Sequence, residues 1–457
     1  MKVSRLTVLA SLLVLFTTGC SIDSESPEQL IKDKPVYDKN KQELYNAIKQ
    51  QLPSINSSLI LPSNSSEVGK INEIDLNSDG VDEIVAFEKK ESINPSQNEV
   101  GFLILEKNQN GSYSNKANLL QKGEAIEYAS FYDLDSDGNK EIILLIKENE
   151  KTNLHIYSYK EDKIKKIYTL DPTWLKDKSN LQDMKIKIGH MDNDNIVDIL
   201  IMHYNTKTNK AYASMANFNK TLEFKSYVEF ENIRSLGDSY ITIGNIATDK
   251  RGIILDMPTI KDNNYMTQIL YMENNNLKKA FSDYEKNIMK PYYIPVADID
   301  KDKDKVIDIP IVKGSGKTYT AKNSATVTWY KWNGKSEENS GLVFIGQRYY
   351  NYQYNYQLLI PNKLVNKLFV REDYPSDGPV FYFEYYDTDK NKPVKLFTIS
   401  LNNKKRVDEN KSIVPQNVFV LREDEENTYV LYIDNEAEMK KLKLNQEIIK
   451  EFFLPIY

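Results

Sequence analysis

The chain of 457 residues has one cysteine, three histidines and three tryptophans, and each scarcity removes a class of explanation. A lone Cys20 leaves no disulfide framework. The imidazoles stand at His155, His190 and His203, outside any H-E-x-x-H or triad-like pattern. Neither G-x-S-x-G nor a glycine-rich phosphate loop occurs. The apolar stretch Leu6–Phe16 runs 11 residues, short of the about 20 that span a bilayer. Basic runs interleaved with aromatics are missing and the formal net charge is −6, which argues against nucleic acid as a partner. These absences predict a chain that is not an enzyme.

What the sequence does contain is a recurring acidic stretch. Asp75-Leu76-Asn77-Ser78-Asp79-Gly80-Val81-Asp82-Glu83 runs into the apolar segment Ile84–Phe87. Oxygen-bearing side chains fall at positions 1, 3, 5 and 9, with glycine at position 6, where a tight turn needs a positive φ. Such convergence of oxygens from one loop suits a hard cation such as Ca²⁺. The pattern returns at Asp133–Glu141, at His190–Asp198 and at Asp300–Asp308, each time ahead of an apolar strand. A worn copy, Gly244-Asn245 to Ile253-Ile254-Leu255, has lost most of its carboxylates. First positions at 75, 133, 190, 245 and 300 give intervals of 58, 57, 55 and 55 residues. A fixed period of this size marks a repeat architecture. Position 12 is Ala86, Leu144, Ile201 or Ile311, inside strands, which excludes EF-hand loops, where a carboxylate and a helix are required. Metal-free Asp/Asn turns are the other reading of any single loop.

Each unit reads as an acidic loop, a buried strand, a second strand, a polar turn and a third strand. Four short strands in roughly 55 residues describe a propeller blade. The loops resemble the FG-GAP, or VCBS-type, repeats of integrin α-like β-propellers. That resemblance implies one Ca²⁺ per loop, held by the side chains at positions 1, 3, 5 and 9 and the carbonyl at position 7. It assigns Asp75, Asn77, Asp79, Glu83 and the Val81 carbonyl in the first loop. In the second it assigns Asp133, Asp135, Asp137, Glu141 and the Asn139 carbonyl. The third loop opens on His190, a poor ligand for a hard cation, and keeps Asp192, Asp194 and Asp198. The fifth keeps Asp300, Asp302, Asp304 and Asp308, with Lys305 where glycine is expected. Family propellers usually have seven blades, whereas five units are counted here.

Residues 1–20 read as an export signal: Lys2 and Arg5, the apolar stretch, then Thr17-Thr18-Gly19-Cys20. The last four resemble the lipobox of bacterial lipoproteins, which implies a lipid on Cys20 and an extracytoplasmic, membrane-anchored chain; an ordinary cleaved signal is the other reading. Residues 21–66 form a tether and a short helix in which Leu44, Ile48 and Leu52 share a stripe. Residues 67–345 are the repeat region. Residues 346–457 are expected to form a small α+β domain ending in a helix over about 437–453. Tyr350, Tyr352, Tyr354 and Tyr356 alternate; on a strand they would share a face, either stacking on sugars or packing the repeats against the last domain.

The expected fold is therefore mainly β, a propeller of about five calcium-loop repeats followed by an α+β domain. The expected function is a calcium-stabilised lipoprotein that binds a cell-envelope protein or polysaccharide. Alternatives are a polysaccharide lyase or hydrolase built on the propeller, and a structural spacer.

Overall fold

The structure is a computed structural model. It describes residues 39–149, 151–170, 183–261, 264–282, 289–290, 300–312, 324–335, 341–375, 378–387, 392–404 and 419–456. Residues 1–38, with the expected signal, Cys20 and most of the tether, lie outside these.

The described chain is mostly β, in six open antiparallel sheets. Helix α1, Lys39–Gln51, comes first and buries Leu44 and Ile48 against Ile84, Ala86, Leu103 and Leu105 of the first sheet. That sheet joins Ser57–Leu59 and Ile71–Ile74, side by side on one strand, to Glu83–Lys90, Glu99–Lys107 and Tyr113–Lys122. The second runs Ala125–Tyr132, Glu141–Glu148, Lys151–Lys160, Lys163–Thr169. The third runs Asp183–Gly189, Asp198–Asn205, Lys210–Asn219, Thr221–Phe230. The fourth runs Tyr240–Ala247, Lys250–Pro258, Tyr265–Glu273, Asn276–Lys279. Among the described residues the fifth begins at Ile309–Ile311 and continues through Ser324–Trp332, Leu342–Asn351 and Tyr356–Ile360.

The second strand of each repeat is a nearly unbroken apolar run because sheets cover both of its faces. Phe87 and Phe102 of the first sheet meet Phe131 and Tyr157 of the second, at ring distances of 6.2 and 5.5 Å. One apolar core joins the second and third sheets, another the third, fourth and fifth. Residues such as Phe102, fully buried, would each cost about 3–5 kcal/mol on truncation to alanine. Neighbouring sheets thus pack in chain order.

A β-bulge recurs at one register. It falls at Ile104/Leu105, Ile156/Tyr157, Met215/Ala216 and Trp329/Tyr330. In each case it lies opposite the residue that follows position 9 of the acidic loop, Ile84, Ile142, Ile199 or Ile309. A bulge twists and re-aims the strand that carries it.

The sixth sheet orders Leu368–Asp373, Val380–Asp387, Lys392–Asn403, Asn427–Ile433 and Phe419–Glu423. Helices α2 (Glu436–Lys441) and α3 (Gln446–Phe452) follow. The single helix expected over about 437–453 is therefore two, because Lys443 turns left-handed (φ 59°) and Asn445 caps a new start by accepting from Ile448 N–H. The boundary expected at 345 falls inside the strand Leu342–Asn351, and Phe453–Leu454 returns to pair with the fifth sheet. The tyrosine run bends through a hairpin turn at 352–355 and so shares no single strand face. Tyr350 and Tyr356 are buried, Tyr354 packs on Phe381, and Tyr429 Oη donates to the Tyr354 carbonyl at 2.8 Å. Tyr354 and Tyr356 thus pack against the last domain, whereas Tyr350 packs on Trp329 within the fifth sheet and Tyr352 is exposed. Among the described residues no helix is long and apolar enough to cross a membrane.

Candidate metal centres in the acidic loops

The first three loops each link the first strand that pairs with the buried strand to the buried strand itself. The residue before the loop pairs with position 9: Ile74 with Glu83, Tyr132 with Glu141, Gly189 with Asp198. Position 9 is thus rooted in the buried strand and points a carboxylate back into the loop. There it accepts the N–H of position 2: Leu76 to Glu83 at 2.8 Å, Leu134 to Glu141 at 3.0 Å, Met191 to Asp198 at 2.9 Å, Lys301 to Asp308 at 2.5 Å.

Loops one, two and five share a backbone. Positions 4 and 6 are left-handed in all three: Ser78 and Gly80 (φ 57° and 86°), Ser136 and Gly138 (59° and 91°), Lys303 and Lys305 (62° and 69°). That double turn brings the N–H of position 6 onto the first carboxylate, Gly80 to Asp75 at 3.1 Å, Gly138 to Asp133 at 3.0 Å and Lys305 to Asp300 at 2.9 Å. Position 7 in turn donates to position 5, as Val81 does to Asp79 and Asn139 to Asp137, both at 2.8 Å. Third-loop residues His190–Asp198 include none with positive φ.

Ligand-grade oxygens of Asp133, Asp135 and Glu141 lie within 4.8 Å of one another, as do those of Asp192, Asp194 and Asp198 and those of Asp300, Asp302 and Asp304. In the first loop position 3 is Asn77, whose Nδ2 donates to Glu83 at 3.2 Å. The other carboxylates raise the pKa of position 9, on top of burial. Burial first, then Asp135, Asp137 and Asp133, pushes Glu141 up to about 7. Burial and then Asp302, Asp300 and Asp304 lift Asp308 to about 6. Glu83 is raised by the same causes, burial foremost.

These residues fit a hard cation. Asp308 is 1% exposed and its Oδ1 has no hydrogen-bond partner; Asp75 Oδ1 is likewise buried and unpartnered. A buried anionic oxygen without a partner costs free energy unless a cation meets it. Beside loop two a cavity of about 280 Å³ opens, lined by Asp135, Glu141 and the lysines Lys160, Lys165 and Lys166.

The worn fourth copy has no loop. Asn245 pairs with Arg251 and Ala247 with Lys250, so the chain turns at Thr248-Asp249. It instead ties its neighbours together. Asn193 Nδ2 donates to the Asp249 carbonyl at 2.7 Å, Arg251 Nη2 donates to the His190 carbonyl at 3.1 Å, and Ile307 N–H reaches the Asn245 carbonyl at 2.8 Å. Loops one and two are joined the same way, Lys140 N–H to the Leu76 carbonyl at 2.8 Å.

His155 sits between Leu154 and Ile156 in a buried strand and plays a structural part. Its Nδ1 lies 3.0 Å from Thr169 Oγ1, and burial, with a smaller push from Lys166, lowers it to about 4. The sequence reading missed the lysines. Lys160 pairs with Asp137, Lys225 with the third loop, and Lys331 with Asp302 and Asp304 at 2.9 and 2.7 Å. The repeat grammar held no signal for them, since they come from different strand positions in each unit.

No protein-family description matches the chain, and no curated protein does. Solved structures do align. The exotype rhamnogalacturonan lyase YesX is 11% identical over 76% of this chain and 70% of its own, at a TM-score of 0.27. Rhamnogalacturonan lyase YesW is 11% identical over 80% and 90%, at 0.29. The V. cholerae biofilm matrix protein Bap1 is 11% identical over 83% and 71%, at 0.23. Likeness this slight carries no argument about activity. The expectation that the chain is not an enzyme is withdrawn: missing motifs exclude only the chemistries those motifs mark, and rhamnogalacturonan lyases are among the structures that align.

Proposed function

We propose that loops 75–83, 133–141 and 300–308 hold Ca²⁺, and that the chain is a binding module for a cell-envelope protein or polysaccharide, anchored outside the membrane by lipid on Cys20. In this reading the stacked sheets are blades of an FG-GAP-like propeller. The observation that carries it is the unpartnered, buried Asp308 Oδ1, which feels the charges of the clustered Asp300, Asp302 and Asp304. Bound Ca²⁺ would supply the positive charge that lets these carboxylates ionise together. Asp133, Asp135, Asp137 and Glu141 would hold it in loop two, and Asp300, Asp302, Asp304 and Asp308 in loop five.

The chain's own part is to present the acids ready-made. The left-handed pair at positions 4 and 6 folds the loop, and backbone N–H groups fix the carboxylates from inside. Links between successive loops would pass that stiffness from sheet to sheet and give a ligand a rigid edge to meet.

Calorimetric titration of the mature chain, with metal analysis, tests the first half. No calcium uptake would end it. Capture from native envelopes with and without calcium tests the second, where a ligand retained only with calcium is expected. For the anchor, Cys20→Ala should move the protein from membrane to soluble fraction.

A further inference from the structure

We propose that Lys225 is the resident cation of the third loop. Asp192, Asp194 and Asp198 then form a closed ion cluster instead of a calcium site, and the third loop keeps its fold at any calcium concentration. The statement that other loops differ in this respect rests on the calcium reading above.

The geometry is specific. Lys225 Nζ lies 3.1 Å from Asp192 Oδ2, 3.3 Å from Asp198 Oδ1 and 3.7 Å from Asp194 Oδ2. Its ammonium therefore meets positions 3, 5 and 9 together. The side chain is 11% exposed and Asp198 is fully buried. Asn217 Nδ2 adds a donor to Asp198 Oδ1 at 2.9 Å. What places the lysine there is the recurring bulge. Met215 pairs with Ser226 and Ala216 with Phe224, so Lys225 is the extra, unpaired residue, turned toward the loop. The corresponding bulge residues are Ile167 and Ile345 in the second and fifth sheets. In the first sheet it is Lys116, which pairs with Glu106 and Asp162 instead of the loop.

Two further departures agree. His190 replaces the first carboxylate, and the left-handed pair is missing. A divalent ion would have to evict an ammonium already bonded to its ligands, against like-charge repulsion at about 3 Å. The lysines of the calcium loops differ in kind. Lys160 reaches one loop carboxylate and is 49% exposed. Lys331 is 30% exposed and leaves Asp308 Oδ1 unpartnered. Those two can swing aside; Lys225 fills its site. Because loop three bonds to Asp249 and Arg251 of the fourth sheet, that junction also stays independent of calcium.

Amide hydrogen exchange on the full mature chain decides the matter. In chelator, protection of Leu134 and Lys301 N–H should fall about tenfold, while Met191 N–H, bonded to Asp198, stays unchanged. Lys225→Met should expose Met191 in chelator; Lys225→Arg should restore it. A Met191 amide that responds to chelator in the wild type, or ignores Lys225→Met, would overturn the proposal. Calcium stoichiometry of Asp194→Asn is a separate check should Lys225→Met fail to fold. An unchanged count supports the lysine, and a count lower by one refutes it. If Leu134 and Lys301 ignore chelator, the calcium reading fails, and the Lys225→Met exchange still tests the cluster.

Discussion

Loops 133–141 and 300–308 have different residues at position 6 and the same backbone, whereas 190–198 has a similar set of acids on another backbone. Burial raises the pKa of the position 9 carboxylate in all three loops, Asp198 included. Loop three gives Asp198 an ammonium and an amide. Counting carboxylates therefore does not sort cation sites in this chain. The left-handed turn pair, and the cation that reaches position 9, sort them.

The largest expected effect is on pH. Glu141 is held at about 7, above its ordinary 4.5. Without metal its ionisation penalises the fold, so chelated protein loses stability as pH rises from about 4.5 through 7. Binding Ca²⁺ requires the ionised form, so affinity moves the other way. It should be about 30-fold weaker at pH 5.5 than at pH 8 for loop two. Calorimetry across that range, with proton release on binding, checks the sign. Affinity indifferent to pH would break the contrast with loop three.

Next in size is Asp137→Ala. With a site near 10⁻⁴ M, typical of extracellular modules, millimolar calcium adds roughly 1.4 kcal/mol. The variant should lose most of that from loop two, while its exposed pair with Lys160 adds little either way. Thermal unfolding with and without calcium reads it. A full calcium response in the variant would remove Asp137 from the site.

How far such contrasts were legible in the sequence depends on distance along the chain. The period, the strand order and positions 1, 3, 5 and 9 are local, and the structure brings Asp133, Asp135 and Glu141 together as they suggest. Lys225 lies 27 residues beyond Asp198, at a bulge no pattern marks. The return of Phe453–Leu454 to Tyr356–Ile360 is more remote still. The tyrosine run misleads because alternation implies a strand where Tyr352–Asn355 makes a turn.

Lys305 offers a smaller, stabilising test. It occupies φ 69° where loops one and two have glycine, and a side chain there costs roughly 1 kcal/mol. Its backbone N–H still donates to Asp300, so Lys305→Gly keeps the bond and relieves the strain. The expected result is a gain near 1 kcal/mol in denaturant unfolding, offset in part by the greater freedom of glycine in the unfolded chain. A loss of stability would show that the lysine side chain holds loop five in some other way.

The smallest effect belongs to the fourth unit. Asp249 sits in the tight turn that replaces the loop, exposed, and its contact with Asn193 runs through the backbone carbonyl. Asp249→Ala keeps that carbonyl and removes a carboxylate that belongs to none of the three acid clusters. Exposed changes of this kind stay within about 0.5 kcal/mol. Calcium-dependent stabilisation should also be untouched, in contrast to Asp137→Ala measured in the same titration. Were the two variants to lose calcium response equally, cation binding would have to depend on charge spread along the linked loops, and the position-by-position assignment would fall.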